Sequence, residues 1–286
     1  MSAAYLIIVS EADPVAVRVA AHWGTPESTG AHVDGAPVRR LSTGAMMLRR
    51  PGRHIFDEQL DARLPAELRE ARVSLVFPSI HRSEQNVECL TVHPLGNPGP
   101  TAEVGGRPRS LVPTDPLRMT AALRAMAEKG APLGIRATFE ATHHGPELSQ
   151  PAFFIEVGFG TAPGPSEDAV RILAEVLPDL APEPGDRVAL GVGGGHYAPH
   201  FTDLALRRRW AFGHLLSRHA LGVLDASTAK AAWDTSTGAE GILYARAEDA
   251  RLPALGGLGP RLRDGESPLR TASVPSIGAS RSASGT

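Results

Sequence analysis

Val73-Ser74-Leu75-Val76-Phe77-Pro78 is an apolar run interrupted by one serine and halted by a proline. A run of that kind suits a strand buried on both faces, in a parallel or mixed sheet between helices. Upstream, residues 5–9 (Tyr-Leu-Ile-Ile-Val) read as a first core strand rather than a signal peptide. They are few, lack a basic lead-in and pass straight into Ser10-Glu11-Ala12-Asp13. Asp13-Pro14 offers an N-cap and a first-turn proline for a helix through Trp23. Residues 24–35 read as a loop, 45–48 as a strand and 66–71 as a short helix. Downstream, residues 89–92, 135–141, 153–157 and 187–192 read as strands. Thr114-Asp115-Pro116 opens a helix to about Lys129 that Gly130 ends, and Ser166-Glu167-Asp168 caps another through Leu177. Residues 202–221 read as mostly helical, 227–233 as a helix and 242–244 as a last edge strand. This alternation predicts an α/β fold with a mixed, mostly parallel sheet flanked by helices. Residues 1–262 are expected to form a single α/β domain, and the Ser-, Gly- and Pro-rich residues 263–286 a disordered tail.

Composition narrows the function classes. Hydrophobic residues make up 42% and charged residues 21% of the 286, ordinary values for a globular chain. A net charge of −2 gives no global field to draw in a polyanion, although Arg207-Arg208-Arg209 is a local basic run. The single cysteine, Cys89, excludes an internal disulfide framework and a Cys-rich zinc site. It lies in a mostly apolar strand, where a buried structural thiol is expected rather than a nucleophile. The expected setting is reducing and cytoplasmic, without a membrane-spanning segment.

The chemistry collects in histidines and glutamates. Eight of the eleven histidines fall between His81 and His219. Several follow directly on expected strands, beyond whose carboxyl ends ligands bind in open α/β sheets. One strand leads into His81 and another into His93. The strand carrying Glu140 ends in Thr142-His143-His144-Gly145-Pro146. Another carries Glu156, and the last runs into Gly193-Gly194-Gly195-His196-Tyr197-Ala198-Pro199-His200. Imidazole and carboxylate serve as zinc ligands and as general bases. Each also has a structural reading: a loop histidine at His81, a strand cap at His93, a paired buried carboxylate at Glu140 and Glu156. In an extended His143-His144 pair the rings point to opposite sides, so that one faces the site. The three glycines let backbone approach a ligand and present N–H groups to an anion. No His-Glu-x-x-His helix, Gly-x-Ser-x-Gly elbow or Walker-type loop is present.

Taken in order, five strings form a set. They are Thr91-Val92-His93 with Gly96-Asn97, Gly105-Gly106-Arg107-Pro108-Arg109, Glu140-Ala141-Thr142-His143-His144-Gly145-Pro146, Phe154-Ile155-Glu156-Val157-Gly158, and Gly194-Gly195-His196-Tyr197-Ala198-Pro199. The set resembles the D-aminoacyl-tRNA deacylases of archaea and plants. Pro78 to Ser83 and Phe212-Gly213-His214 are also similar, and the resemblance runs from about residue 5 to about 235. It departs at His200, where the family has a basic residue. It departs again after Gly241, where Tyr244-Ala245-Arg246-Ala247 replaces the usual Asp-Trp-Lys-Gly ending.

The resemblance implies a zinc-dependent esterase that splits a D-amino acid from the 3′-terminal adenosine of tRNA. It implies a fold similar to phosphorylases and peptidyl-tRNA hydrolases; a monomer is expected, though the sequence leaves oligomeric state open. In that reading His81, His93, His143, Glu156 and His196 are the pool of Zn2+ ligands. Glu140, His143, His144, Glu156 and Tyr197 are the catalytic groups, with Glu140 or Glu156 as general base and Tyr197 as donor to the leaving ribose oxygen. Gly194 and Gly195 provide oxyanion N–H groups, and Arg107, Arg109, Arg207 and Arg208 contact tRNA phosphates. Two other readings stay open: a metal-free His/Glu hydrolase of nucleosides or peptides, and a non-enzymatic RNA- or metal-binding module.

Overall fold

A computed structural model of the chain describes residues 5–82, 88–159 and 164–263. The expected tail therefore lies, but for Arg263, outside the described residues. In chain order the strands are β1 (Tyr5–Ser10), β2 (Glu27–Val33), β3 (Ala36–Arg40), β4 (Met46–Arg50), β5 (Ser74–Arg82), β6 (Cys89–Pro94), β7 (Gly96–Asn97), β8 (Ser110–Leu111), β9 (Arg136–Phe139), β10 (Ala152–Phe159), β11 (Arg187–Val192), β12 (Trp210–Leu216) and β13 (Gly241–Tyr244). The helices are α1 (Pro14–Ala21), α2 (Ala66–Glu70), α3 (Pro116–Gly130), α4 (Glu167–Val176), α5 (Pro199–Arg207), α6 (Arg218–Leu221) and α7 (Ala226–Thr235).

The main sheet has eight strands in the order β2-β3-β4-β1-β5-β10-β6-β9, and a second has the order β12-β11-β13. The centre of the main sheet, β4-β1-β5-β10, is parallel, and β6 runs antiparallel to β10. This is the mixed, mostly parallel α/β architecture expected. Helices α1, α4 and α3 adjoin one another, α1 against β1 and β5, α4 against β10, α3 against β6 and β9. They cover the face bearing Tyr5 and Ser74, whose hydroxyls bond Leu177 O (2.8 Å) and Asp115 Oδ2 (2.5 Å). The opposite face, around Phe77 and Phe154, remains for the site. One apolar core cluster takes residues from both sheets, Phe154 and Phe139 with Phe212 and Leu243 among them.

Asp13 caps α1 as expected: its Oδ1 accepts from Val15 and Ala16 N–H at 2.9 Å. Its Oδ2 also accepts from Ser79 Oγ (2.9 Å) and Ile80 N–H (3.0 Å), tying the helix start to the end of β5.

Three expectations are corrected. Residues 24–35 are not all loop: β2 pairs with β3 around a tight turn at Asp34 (φ 49°) and Gly35 (φ 80°). A turn with both central residues left-handed is the one that matches strand twist. The hairpin lies at the sheet edge and is largely exposed, so its Glu27-Ser28-Thr29-Gly30 sequence carries no apolar alternation. Second, β5 does not stop at Pro78. The β1–β5 ladder ends at Ile7↔Val76, and on that same edge the Ile80 N–H goes to Asp13. Pro78 lacks an N–H on the β1 edge, where the ladder stops, but β10 pairs with β5 on the other edge from Ala152↔Leu75 through Phe159↔Arg82, so the strand runs on past the proline. Third, residues 202–221 are not mostly helical. Trp210–Leu216 form β12, buried along its whole length. A short continuous apolar run does not distinguish a core strand from a core helix.

Candidate active site

Phe154, Glu156 and Gly158 alternate on one face of β10. β5 sets Phe77, Ser79 and His81 beside them, and β6 sets His93, Thr91 and Cys89. His93, Glu156 and His81 therefore step diagonally across three strands. One oxygen, Glu156 Oε2, lies 3.4 Å from His81 Nδ1 and 3.6 Å from His93 Nε2. Gly158 lets β10 pack closely against Cys89 on the same face. A Cβ there would stand 2.8 Å from Cys89 Sγ and 3.6 Å from His81 Cδ2. Under the cluster, Phe77, Phe154 and His93 stack in a row, with centroids 4.9 and 5.2 Å apart. The site thus lies across a sheet face rather than beyond shared carboxyl ends, because β6 and β9 run against β10.

Loops bring in the other groups. Glu140 follows β9 and donates its N–H to Val92 O (3.0 Å), while Ala141 N–H goes to His196 O (2.8 Å) and Thr142 N–H to Leu215 O (2.8 Å). Glu140, wholly buried, then meets three imidazoles: His196 at 3.2 Å, His143 at 3.7 Å and His81 at 3.7 Å. The extended reading of His143-His144 does not hold. His144 is left-handed (φ 42°), which turns both rings to the same side. They lie 4.4 Å apart, and 4.0 and 5.0 Å from His93. The Tyr197 hydroxyl is 3.4 Å from His81 Nε2.

The tautomers follow from the carbonyls. Nδ1 of His93, His143 and His144 faces Pro94 O (3.1 Å), Ala141 O (2.8 Å) and Gly145 O (2.7 Å). A carbonyl only accepts, so each Nδ1 carries a hydrogen and each ring leaves its Nε2 to the cluster. Burial, reinforced by the neighbouring His93, holds His143 well below the ordinary histidine range and His144 at about 4. Burial works to raise the Glu156 carboxyl, but His81 and His93 overcome it and hold it well below the usual carboxylate range. Burial pushes the Cys89 thiol up to about 11, in keeping with a structural role.

Five polar atoms of this cluster are buried without a hydrogen-bond partner among the described residues: Thr91 Oγ1, His93 Nε2, Glu156 Oε2 and both oxygens of Glu140. Buried polar atoms are rarely left so, and their concentration marks a place for a bound group. Three sets can close on an ion, each with ligand atoms within 4.8 Å of one another: His93-His143-His144, His81-Glu140-His143 and His93-Glu140-Glu156. Neutral imidazoles with anionic carboxylates are the donors a divalent cation needs. His144 and Glu140 thereby join the expected ligand pool. His196 reaches the cluster through Glu140.

A cleft of about 330 Å³ opens beside it, lined among others by Asp13, Arg53, His54, Val104, His143 and Glu156. His54 escaped the sequence reading, since no motif surrounds it. His214 proved a positioning group. Its Nε2–H donates to Val112 O (3.0 Å), so its Nδ1 accepts from Thr142 Oγ1 (3.0 Å) at the start of the His143-His144 loop. Of the four arginines expected to meet phosphate, Arg107 pairs with Glu147, Arg109 with Asp225 and Arg207 with Asp203. The Arg208 carbonyl accepts from Arg124 Nη2 (3.3 Å).

A family model described as D-aminoacyl-tRNA deacylase matches residues 69–250. The D-aminoacyl-tRNA deacylase of Methanoregula boonei is 43% identical over 183 residues, covering 63% of this chain and 40% of that protein. That of Thermoplasma acidophilum is 32% identical over 244 residues, covering 85% of this chain and 90% of the relative. The chain spans 40% and 48% of the length of the Methanoregula and Methanosphaerula relatives. The crystal structure of a conserved protein of unknown function superposes with a TM-score of 0.76 at 26% identity, covering 88% of this chain and 91% of that one.

Proposed function

Because the chain belongs to the D-aminoacyl-tRNA deacylase family, we propose that it hydrolyses the ester of D-aminoacyl-tRNA to free D-amino acid and tRNA, in the cytoplasm and as a monomer. The observation that carries this reading is the knot of unpartnered, convergent His and Glu atoms facing a cleft. His81, His93, His143, Glu156 and His196, with His144 and Glu140 beside them, are the donors offered to a zinc ion. Bound there, zinc supplies Lewis acidity toward the ester carbonyl.

The chain's own groups do the rest. Glu140, buried among His81, His143 and His196, takes the proton of the attacking water and passes it to an imidazole. Gly194 and Gly195 offer backbone N–H groups to the oxygen that gains charge as the carbonyl carbon becomes tetrahedral. Tyr197, against His81 Nε2, protonates the 3′ ribose oxygen as the C–O bond breaks, and His81 restores its proton. His214 holds Thr142, and through it the His143-His144 loop, in place. The role of Arg107, Arg109, Arg207 and Arg208 is contact with tRNA phosphates.

The test is release of amino acid from matched D- and L-aminoacyl-tRNA, with and without chelator. Release from the D-form alone, lost with chelator and restored by zinc, is expected. Release from neither form in the presence of zinc overturns the reading.

A further inference from the structure

The short 3-10 turn His54–Phe56 follows β4 and has one side in solvent and the other in the core. Phe56 is 52% exposed, more than any other large apolar side chain among the described residues. The Arg53 guanidinium lies over its ring, 5.5 Å from the centroid. Val104, itself 44% exposed, lines the cleft beside them. The two segments touch, since a Cβ on Gly105 would fall 1.8 Å from Ile55 O. Between Arg53 and Phe56 the chain turns His54 inward. Its ring is 3% exposed and packs on Phe77 (5.8 Å) and Phe154 (5.1 Å), and Phe154 in turn touches His93 and His144. Neither ring nitrogen of His54 has a hydrogen-bond partner among the described residues, and the ring lines the cleft.

An exposed ring, a cation above it and a buried donor–acceptor pair within form one ligand surface. Single-stranded nucleic acid fits it: bases stack on aromatic rings, phosphates meet arginine, and nucleosides present hydroxyls and base edges. Arg53 has no carboxylate partner among the described residues, unlike Arg107, Arg109 and Arg207. Its charge is therefore open to a phosphate. We propose that Arg53, His54 and Phe56 form the subsite for the terminal nucleotides of the RNA 3′ end, with a base on Phe56, a phosphate at Arg53 and the terminal nucleoside hydrogen-bonded to His54. The assignment rests on the deacylase reading, since it takes RNA to be the carrier of the ester. It places the nucleotide next to the His143-His144 wall of the same cleft.

The test separates the two claims by using uncharged RNA. An RNA hairpin ending in single-stranded CCA, labelled at its 5′ end, is titrated with the full chain, and a blunt hairpin serves as control. Phe56→Ala and Arg53→Glu should each weaken CCA binding about tenfold, while Phe56→Trp stays near wild type and the blunt hairpin shows no such dependence. With charged tRNA, His54→Phe should raise KM several-fold more than it lowers kcat, and His54→Gln, which keeps a donor and an acceptor, should rescue it. Wild-type CCA binding by both Phe56→Ala and Arg53→Glu overturns the subsite, as does equal loss on both hairpins. If wild-type protein cleaves D-aminoacyl-tRNA and these variants keep its KM, the subsite falls and the deacylase reading stands. If CCA binding depends on Phe56 but no D-aminoacyl-tRNA is cleaved, the subsite stands and the deacylase reading falls.

Discussion

Glu140 concentrates the tension of the site in one side chain. It is fully buried, three imidazoles surround it, and neither oxygen is hydrogen-bonded among the described residues. A desolvated carboxylate of this kind destabilises the metal-free fold. Glu140→Gln should therefore raise the Tm of chelator-treated protein by about 2–4 °C, while turnover of D-aminoacyl-tRNA falls by about 10²–10⁴. A thermal scan and a deacylation assay on the same preparation check both. Glu156 differs, because its charge is held by His81 and His93. Glu156→Gln should lower zinc retained after dialysis at least tenfold, read by elemental analysis, and unchanged zinc content would remove it from the ligand pool. His214 contributes to acid stability. Burial lowers it to about 3 from an unfolded value near 6.5, so the unfolded chain binds the proton more tightly between those values. Its stabilisation is complete above pH 6.5 and is lost as pH falls toward 3, about 2 kcal/mol by pH 5. Urea denaturation of wild type and His214→Gln at pH 7 and pH 5 should show a smaller drop in the variant. The residue types were legible in the sequence as a His/Glu set. That His143 and His144 act together was not, because it depends on one left-handed backbone angle.

At the scale of elements, glycines decide what can meet. The segments 104–106 and 144–147 cross so closely that a Cβ on Gly145 would lie 2.2 Å from Gly106 N. Glu58 fastens both, accepting from Gly106 N–H (2.7 Å) and Glu147 N–H (2.5 Å). Gly145→Ala should push the His143-His144 loop off its position, cutting turnover more than a hundredfold, the scale of loss expected when reacting groups shift by about 1 Å. Activity and near-ultraviolet circular dichroism measured together would show whether the loss is local. The glycines were visible as motif members, but the crossing that requires them joins segments some forty residues apart. Pro78 teaches the same lesson. Read locally it ends a strand. In the sheet its missing N–H lies on the β1 edge, past the end of that ladder, while β10 pairs with β5 on the other edge, so β5 continues to His81.

At the scale of the molecule, the main sheet grades from a covered centre to an open edge. β10, flanked by β5 and β6 and buried along nearly its whole length, should hold the slowest-exchanging amides, while the exposed β2–β3 hairpin should exchange orders of magnitude faster. Hydrogen exchange by mass spectrometry checks this, and comparable protection at both places would contradict the packing described. The second sheet serves the site from outside it: Leu215 O and Leu216 O on β12 accept from Thr142 and Gly193 N–H, anchoring two loops that carry site histidines.

Sequence alone determined the α/β class, most strands and helices, the Asp13 and Ser166 caps, and the His/Glu inventory. Those depend on apolar periodicity, capping chemistry and residue type, all of which act within a few neighbours. Tertiary structure alone decided that β6 runs against β10 and lays the site across a sheet face, that β12 is a strand, and that His54 joins the cleft beside His144. Each is a contact between residues far apart in the chain, so no local pattern encodes it.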